Sequence, residues 1–180
     1  SFAVMGSVYS REILHVPSPR IGMLSIGEED AKGNEVTKEA FQKLSASDLN
    51  FVGNVEAGDL YDSKVDVAVC DGFVGNVVLK TSESTAKALG AWVKEELSSN
   101  PLYSLGALLS RGAFRTIRDK ADPAQYGGAP LLGVNGVCII GHGSSNQKAV
   151  SNALRVAYES VSHHINPQII ETIAKIKASS

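Results

Sequence analysis

The stretch VCDGFVGNVVLKTSE combines an acid, two glycines, an amide and a lysine at the point where an apolar run gives way to a helical pattern. Asp71 ends the apolar run, Gly72 and Gly75 loosen the turn, and Asn76 and Lys80 lie four residues apart on one predicted helical face. An amide and an ammonium on one face suit the binding of an anion. Alternatively, Asp71 caps the turn and Lys80 is a solvated surface lysine.

The stretch GHGSSNQ also precedes a predicted helix. Helix N-termini present unpaired N–H groups and a partial positive charge, so they bind anions. Ser144 and Ser145 add hydroxyl donors, and Gly143 lets the backbone approach a ligand closely. The alternative is an N-cap serine without a ligand. His142 either contacts the ligand or donates a hydrogen bond to the backbone.

A third candidate loop, SIGEEDAKGNE, follows another apolar run and contains Glu28, Glu29, Lys32 and Asn34. The alternative is a charged hairpin exposed to solvent. Open α/β sheets bind ligands at the carboxyl ends of their strands. We therefore predict that the three loops meet as one pocket for an anion.

Other chemistry receives less support from the sequence. No loop matches a nucleotide-binding fingerprint, and His163 and His164 lie near a predicted helix end without enough neighbouring ligands for a metal. We predict no metal and no cofactor. Cys70 and Cys138 lie in apolar runs and are interpreted as buried, small apolar residues in a reducing, intracellular setting.

The composition is typical of a globular protein. The 180 residues are 43% hydrophobic and 20% charged, with a net charge of -2, which argues against a non-specific nucleic-acid binder. No apolar run approaches the roughly 20 residues that span a bilayer, and no signal peptide is recognisable. A cytoplasmic protein is therefore expected. The chain starts in an apparent helix, so we expect it to begin inside a longer protein.

Strand-like and helix-like patterns alternate along the chain, which predicts an α/β fold with a mostly parallel sheet. Asn135-Gly136 between two apolar runs predicts an antiparallel hairpin with a two-residue type I′ turn. Asn100 and Pro101 suit the N-cap and first position of a helix. The last helix is predicted to open at Asn166-Pro167. Its apolar side is predicted to contain Ile169, Ile170, Ile173 and Ile176.

Three quoted stretches, taken in order, resemble one known family. These are IGMLSIGEEDAKGNEVTKEAF, NFVGNVEAGDLYDSKVDVAVCDGFVGNVVLKTSE and YGGAPLLGVNGVCIIGHGSSNQKAV. They are similar to the second half of the bacterial phosphate acyltransferases of phospholipid synthesis. The resemblance implies transfer of a fatty acyl group from acyl-acyl-carrier-protein to inorganic phosphate. It also implies a homodimer with a three-layer α/β/α fold, similar to isocitrate dehydrogenases and phosphotransacetylases.

The same resemblance implies catalytic roles for Lys32 and Asn76. A wider set is predicted to bind phosphate or substrate: Asn34, Asp71, Gly72, Gly75, Lys80, His142, Gly143, Ser144 and Ser145. Compared with phosphotransacetylases, Ser144-Ser145 stands where a serine–arginine pair is expected, so an arginine clamp on phosphate is absent at that point. We predict direct attack by phosphate without an acyl-enzyme.

Residues 93–122 are predicted to form a protruding helical hairpin within a domain that occupies residues 1–180. Leu102, Leu105 and Leu109 belong to its apolar face, and several basic residues follow. This face is either buried in a dimer interface or contacts anionic membrane lipid peripherally; both hold if the dimer forms the base and the tip meets the bilayer.

Two other functions remain open. One is a related phosphotransacetylase that acts on acyl-CoA. The other is a non-catalytic fragment that only dimerises or binds acyl carrier protein.

Overall fold

The computed structural model describes residues 1–120, 128–143 and 145–179. These residues form two compact units. Unit 1 contains residues 1–70 and the described residues after 127, and unit 2 contains residues 71–120.

Seven helices, one short 3-10 helix and five strands are present in the described residues. In chain order they are α1 (Phe2–Glu12), β1 (Ile21–Leu24), α2 (Glu35–Ser45), β2 (Phe51–Val55), the 3-10 helix (Gly58–Leu60), β3 (Val67–Val69), α3 (Gly72–Leu97), α4 (Pro101–Leu109), α5 (Arg111–Lys120), β4 (Ala129–Pro130), β5 (Ile139–Ile140), α6 (Gln147–Ser162) and α7 (Ile165–Ser179).

Unit 1 is built on a parallel sheet in the order β2-β1-β3, with β4 and β5 as a separate antiparallel pair. All four residues of β1 are buried, as expected for the central strand of a covered parallel sheet. The predicted α/β class, with a mostly parallel sheet and an antiparallel pair, is confirmed.

The pairing between β1 and β2 contains an irregularity. Ile21 pairs with Phe51, whereas Gly22 pairs with Gly53, so β2 has one extra residue at this point. Gly53 has a φ of +97°, a conformation that glycine adopts without the steric cost of a side chain. The side chains that follow Gly53 are therefore aimed differently from those of a regular strand.

An ion pair joins the starts of β1 and β3. The Asp66 carboxylate accepts hydrogen bonds from the Arg20 side chain at 2.9 and 3.0 Å and from the Arg20 backbone N–H at 2.8 Å. These bonds, those of the guanidinium first, lower the pKa of Asp66. Asp66 and Arg20 thus help to set the register of the two strands.

The main core of unit 1 lies where α1 packs against α7 and α6. Its buried members are Val4, Val8, Ile13, Val156, Ile165 and Ile169. On α7, Ile173 and Ile176 pack against this cluster as predicted, but Ile170 is exposed. The helix also begins at Ile165, one residue earlier than predicted. Gly6 lets α1 approach β3 closely, because a Cβ at this position would lie 2.6 Å from a Val67 methyl group.

Unit 2 consists of α3, α4 and α5, and its helix ends follow the sequence signals. The Asp71 side chain caps α3, and the Asn100 side chain accepts a hydrogen bond from Tyr103 N at 2.9 Å with Pro101 in the first turn of α4. The predicted Asn100-Pro101 helix start is confirmed. Neither α3 nor α4 contains a buried residue. Among the described residues, no helix has both the length and the apolar character required to cross a membrane.

Two local predictions are wrong. The connection between β4 and β5 spans residues 131–138. Gly136 has a φ of +151°, but Asn135 is not among the described residues with positive φ, so this is not a two-residue type I′ turn. Cys138 is exposed and Cys70 is half-buried, so neither is the fully buried residue that was predicted.

Candidate functional site

The loop between β1 and α2, residues 25–34, carries Lys32 and ends at the cap of α2. The Asn34 side-chain oxygen accepts a hydrogen bond from Thr37 N at 2.9 Å, so it serves as an N-cap. Only the amide N–H₂ group of Asn34 thus remains to meet an anion. Gly33 has a φ of +100°, and its backbone turns the chain into the helix.

A tight turn positions Lys32 within this loop. The Glu29 carbonyl accepts a hydrogen bond from Lys32 N at 2.9 Å, and it accepts a second one from Asn54 Nδ2 at 2.8 Å. Asn54 lies in β2 and is only 6% exposed. A buried side chain of the neighbouring strand therefore holds the acceptor of the turn.

A second contact fixes the residue before Glu29. Lys64 Nζ lies 2.8 Å from Glu28 Oε1 and 2.6 Å from Asp59 Oδ1, and Asp59 Oδ2 accepts a hydrogen bond from Glu56 N at 2.9 Å. The hydrogen bond from Lys64, and then that from Glu56 N, lowers the pKa of Asp59. The hydrogen bonds to Asp59 and then to Glu28 raise the pKa of Lys64. The Lys64 ammonium is therefore already paired with two carboxylates and has a structural role.

At the start of α3, some of the predicted groups stabilise the helix, and others remain available to bind a ligand. Asp71 Oδ1 accepts hydrogen bonds from Phe73 N at 2.9 Å and Val74 N at 3.0 Å, so the capping alternative holds for Asp71. Lys80 Nζ lies 3.3 Å from Glu83 Oε2 on the exposed helix surface. Asn76 is also exposed and lies one turn before Lys80.

The glycines of this segment do not form the predicted turn. Gly72 is the first residue of α3, and Gly75 lies inside the helix, so Asn76 is in the second turn rather than at the helix start. The Asp71 cap begins the helix earlier than the glycines suggested. No Cβ clash occurs at Gly72, where nothing lies within 4 Å.

The loop before α6 is closed by its own hydrogen bonds. His142 N donates to Ser145 Oγ at 3.0 Å, and Ser145 N donates to His142 O at 2.9 Å. The helix cap is Asn146, whose side chain accepts from Ala149 N at 2.9 Å, so the N-cap serine alternative is wrong. Gly143 is exposed, and Ser144 lies outside the described residues.

Two of the predicted side chains are wholly unpaired among the described residues. Within the described parts of the chain, neither the Lys32 ammonium nor the Asn76 carboxamide has a hydrogen-bond or ion-pair partner. Both side chains are exposed. The Lys32 ammonium and the Asn76 amide are therefore available to bind a ligand. Lys64 and Lys80, in contrast, are held in ion pairs.

The predicted residues belong to different units. Lys32, Asn34, His142, Gly143 and Ser145 lie in unit 1, and the segment from Asp71 to Lys80 lies in unit 2. Their convergence on one pocket stays a prediction. The described residues contain no group of three or more His, Cys, Asp or Glu side chains that would hold a metal ion.

Sequence reasoning missed Asn54 and Lys64. Asn54 is a polar residue in the apolar stretch NFVGNVE, which is an available signal, because a buried amide needs a hydrogen-bond partner. The contact of Lys64 with the loop was missed because its partner there, Glu28, is 36 residues away in the chain.

Comparison with known proteins shows the family of this chain. The family model described as "Fatty acid synthesis protein" matches residues 1–168. The chain belongs to this family.

The curated proteins most similar to this chain that we compared share one name. A protein called phosphate acyltransferase from Acidobacterium capsulatum is 54% identical over 168 residues, which are 93% of this chain and 50% of the relative. Proteins of the same name from Pelotomaculum thermopropionicum and Geotalea daltonii are 51% and 48% identical over 98% and 96% of this chain. The chain spans about half the length of these curated relatives.

Proposed function

We propose that the full-length protein containing this chain transfers a fatty acyl group from acyl-acyl-carrier-protein to inorganic phosphate and supplies acyl phosphate for phospholipid synthesis. The observation that carries this proposal is the similarity, along almost the whole chain, to proteins named phosphate acyltransferase. The unpaired Lys32 and Asn76 side chains support it, because both are donors suited to anionic groups.

The proposed reaction requires no covalent enzyme intermediate. A phosphate oxygen attacks the thioester carbonyl carbon, the C–S bond breaks, and the thiolate of the carrier leaves and takes up a proton. Phosphate is already anionic at neutral pH, so positioning is the main requirement, and it can supply about 7–11 kcal/mol of the barrier. We assign Lys32 to binding the negative charge of phosphate and Asn76 to donating a hydrogen bond to the developing oxyanion. One such donor stabilises the transition state by about 3–4 kcal/mol.

The test is phosphate-dependent formation of acyl phosphate from acyl-acyl-carrier-protein by the full-length protein. Lys32→Ala and Asn76→Ala are each expected to lower kcat/KM by about 100- to 1000-fold. Lys38→Ala, an exposed lysine of α2, is the matched control and should retain activity. Wild-type activity in both site variants would refute the assignment, and equal turnover of acyl-CoA would refute the carrier-protein specificity. An acyl adduct trapped on Cys70 would refute direct attack.

We further propose that unit 2 mediates homodimer formation at its base and peripheral membrane contact at its tip. Helices α3, α4 and α5 line an open groove of about 1250 Å³. Its walls are mostly apolar, and Lys87, Lys94, Arg111 and Arg118 line it as well. Leu102, Leu105 and Leu109 are exposed on α4, and contiguous exposed apolar surface is typical of protein or membrane contacts.

Vesicle binding tests the membrane part of this proposal. Leu105→Glu should abolish co-sedimentation of the full-length protein with anionic vesicles, because a carboxylate opposes both insertion and negative lipid charge. Val36→Glu, at an exposed position of α2, is the matched control and should bind as wild type does. Unchanged binding of Leu105→Glu would end the membrane proposal, and a monomeric mass for the full-length protein in solution would end the dimer proposal.

A further inference from the structure

The turn that carries Lys32 depends on a side chain from another strand. The Glu29 carbonyl accepts both the Lys32 N–H, at 2.9 Å, and the Asn54 amide, at 2.8 Å. The first bond closes the turn, and the second ties it to β2. Removing the Asn54 donor would leave the turn closed only by its own backbone.

The position of Asn54 follows from the irregular pairing of β2. The extra residue, Val52, lies two positions before Asn54, and Gly53 between them takes the positive φ that this geometry needs. A bulge of this kind re-aims the next side chain. Burying an amide is unfavourable unless it is hydrogen-bonded, so the contact with Glu29 O compensates the burial of Asn54.

Lys64 provides a second tie to the same loop. Its ammonium bridges Glu28, in the loop, and the buried Asp59, in the 3-10 helix. Asp59 is in turn fixed by Glu56 N at 2.9 Å. The consecutive residues Glu28 and Glu29 are thus each bound to the segment that runs from β2 to β3, a few residues before Lys32.

We propose that Asn54 and Lys64 are positioning residues that hold the loop of residues 25–34 so that Lys32 is presented to phosphate. This inference rests on the proposed function of Lys32. Lys32 itself has no side-chain partner in the described residues, so its location is set by the backbone of the loop. A displacement of about 1 Å in a reacting group can cost about 100-fold in rate.

A double-mutant cycle in the full-length protein tests the role of Asn54. Asn54→Leu keeps similar volume but lacks the donor, and it should lower kcat/KM for phosphate by about 10- to 100-fold when Lys32 is present. In a Lys32→Ala background the same change should lower the residual rate by less than about twofold, because positioning has no further lysine to act on. Equal losses in both backgrounds would show a purely structural role and overturn the proposal.

Mutation of Lys64, a more exposed side chain, provides an independent test. Lys64→Met should lower kcat/KM for phosphate several-fold, and Lys64→Arg should restore most of the loss, because it restores the charge. Lys43→Met is the matched control, since Lys43 forms an exposed ion pair with Glu39 on α2. A loss that Lys64→Arg does not restore, or no loss at all, would overturn the role of Lys64.

Amide hydrogen exchange provides a readout that does not depend on activity. In Asn54→Leu the Lys32 amide should exchange about tenfold faster or more, while amides of β1 keep their wild-type rates. Unchanged exchange at Lys32 would overturn the inference even if activity fell. Full activity of Lys32→Ala would instead refute the proposed function, and the exchange result would still decide whether Asn54 anchors the loop.

Discussion

The two compact units bury apolar side chains to very different extents. In unit 1, α1, α6 and α7 enclose a cluster of aliphatic side chains, and Ile165 is only 2% exposed. In unit 2, the 26 residues of α3 include no buried one, and Trp92 is 63% exposed. Unit 1 therefore has its own core, whereas the apolar side chains of unit 2 remain available for contact.

This difference separates residues that stabilise the fold from residues that contact other molecules. Helices gain most of their stability in proteins from packing an apolar face, and α3, α4 and α5 leave much of theirs uncovered. The same apolar residue type should therefore respond differently to mutation in the two units. Four predictions, in order of decreasing effect, test this contrast.

Ile165→Ala should have the largest effect on stability. The side chain is enclosed in the core of unit 1, so its truncation removes buried surface and leaves a cavity. The free energy of unfolding should fall by about 2–5 kcal/mol, measured by denaturant unfolding. A loss below about 1 kcal/mol would contradict the presence of a packed core in unit 1.

Asp66→Asn should destabilise unit 1 by about 1–2 kcal/mol at neutral pH, allowing for partial exposure of the pair. Hydrogen bonds from Arg20 lower the folded-state pKa of Asp66 below the unfolded value of about 3.9. The stabilisation is therefore present above that value and disappears as the pH falls through the lowered folded pKa.

The measurement for this pair is the stability of wild type and Asp66→Asn across the acid range. The difference between the two proteins should shrink below about pH 4. A difference that stays constant to the lowest pH of folding would show that the carboxylate charge is not involved. Glu39→Gln, in an exposed ion pair with Lys43, should leave stability almost unchanged and is the control.

Asn100→Ala should weaken α4 by about 1 kcal/mol, because the cap on Tyr103 N is lost. Amide exchange of residues 101–109 reports the effect as easier local opening. Amides of α1 and α7 in unit 1 should not respond. A matching change in α7 would show that the two units do not open separately.

Leu109→Ala should have the smallest effect on stability. Leu109 is 81% exposed, so its truncation should change the free energy of unfolding by less than about 0.5 kcal/mol in the monomeric chain. A loss as large as that of Ile165→Ala would mean that another protein molecule covers Leu109 in solution. That result would favour dimer contact over membrane contact at this position.

Much of the fold was predictable because its signals are local. The Asn100-Pro101 start, the helix after Asp71 and the parallel strands all follow from patterns within a few residues. The type I′ turn failed because Asn-Gly is a strong local signal that the longer β4–β5 loop does not use. Ile170 was misassigned because a helix with five isoleucines has more apolar surface than one neighbouring element can cover.

The candidate site was predictable in composition but not in the state of its groups. Lys32, Lys64 and Lys80 are the same residue type and cannot be told apart by sequence. Their surroundings in the fold decide that Lys64 pairs with two carboxylates and Lys80 with Glu83. Asn34, Asp71 and Asn76 are likewise similar side chains, and two of the three are caps. Hydrogen-bond partners over long sequence separations have no periodic signature.

The sequence by itself determined the order of strands and helices, most helix starts and the family, because capping, periodicity and residue identity act over short stretches of chain. Tertiary structure decided that Lys64 and Lys80 are paired while Lys32 is not, how Asn54 reaches Glu29 across 25 residues, and which apolar faces lack a core to pack against. These features depend on distances between residues that only the folded chain brings together.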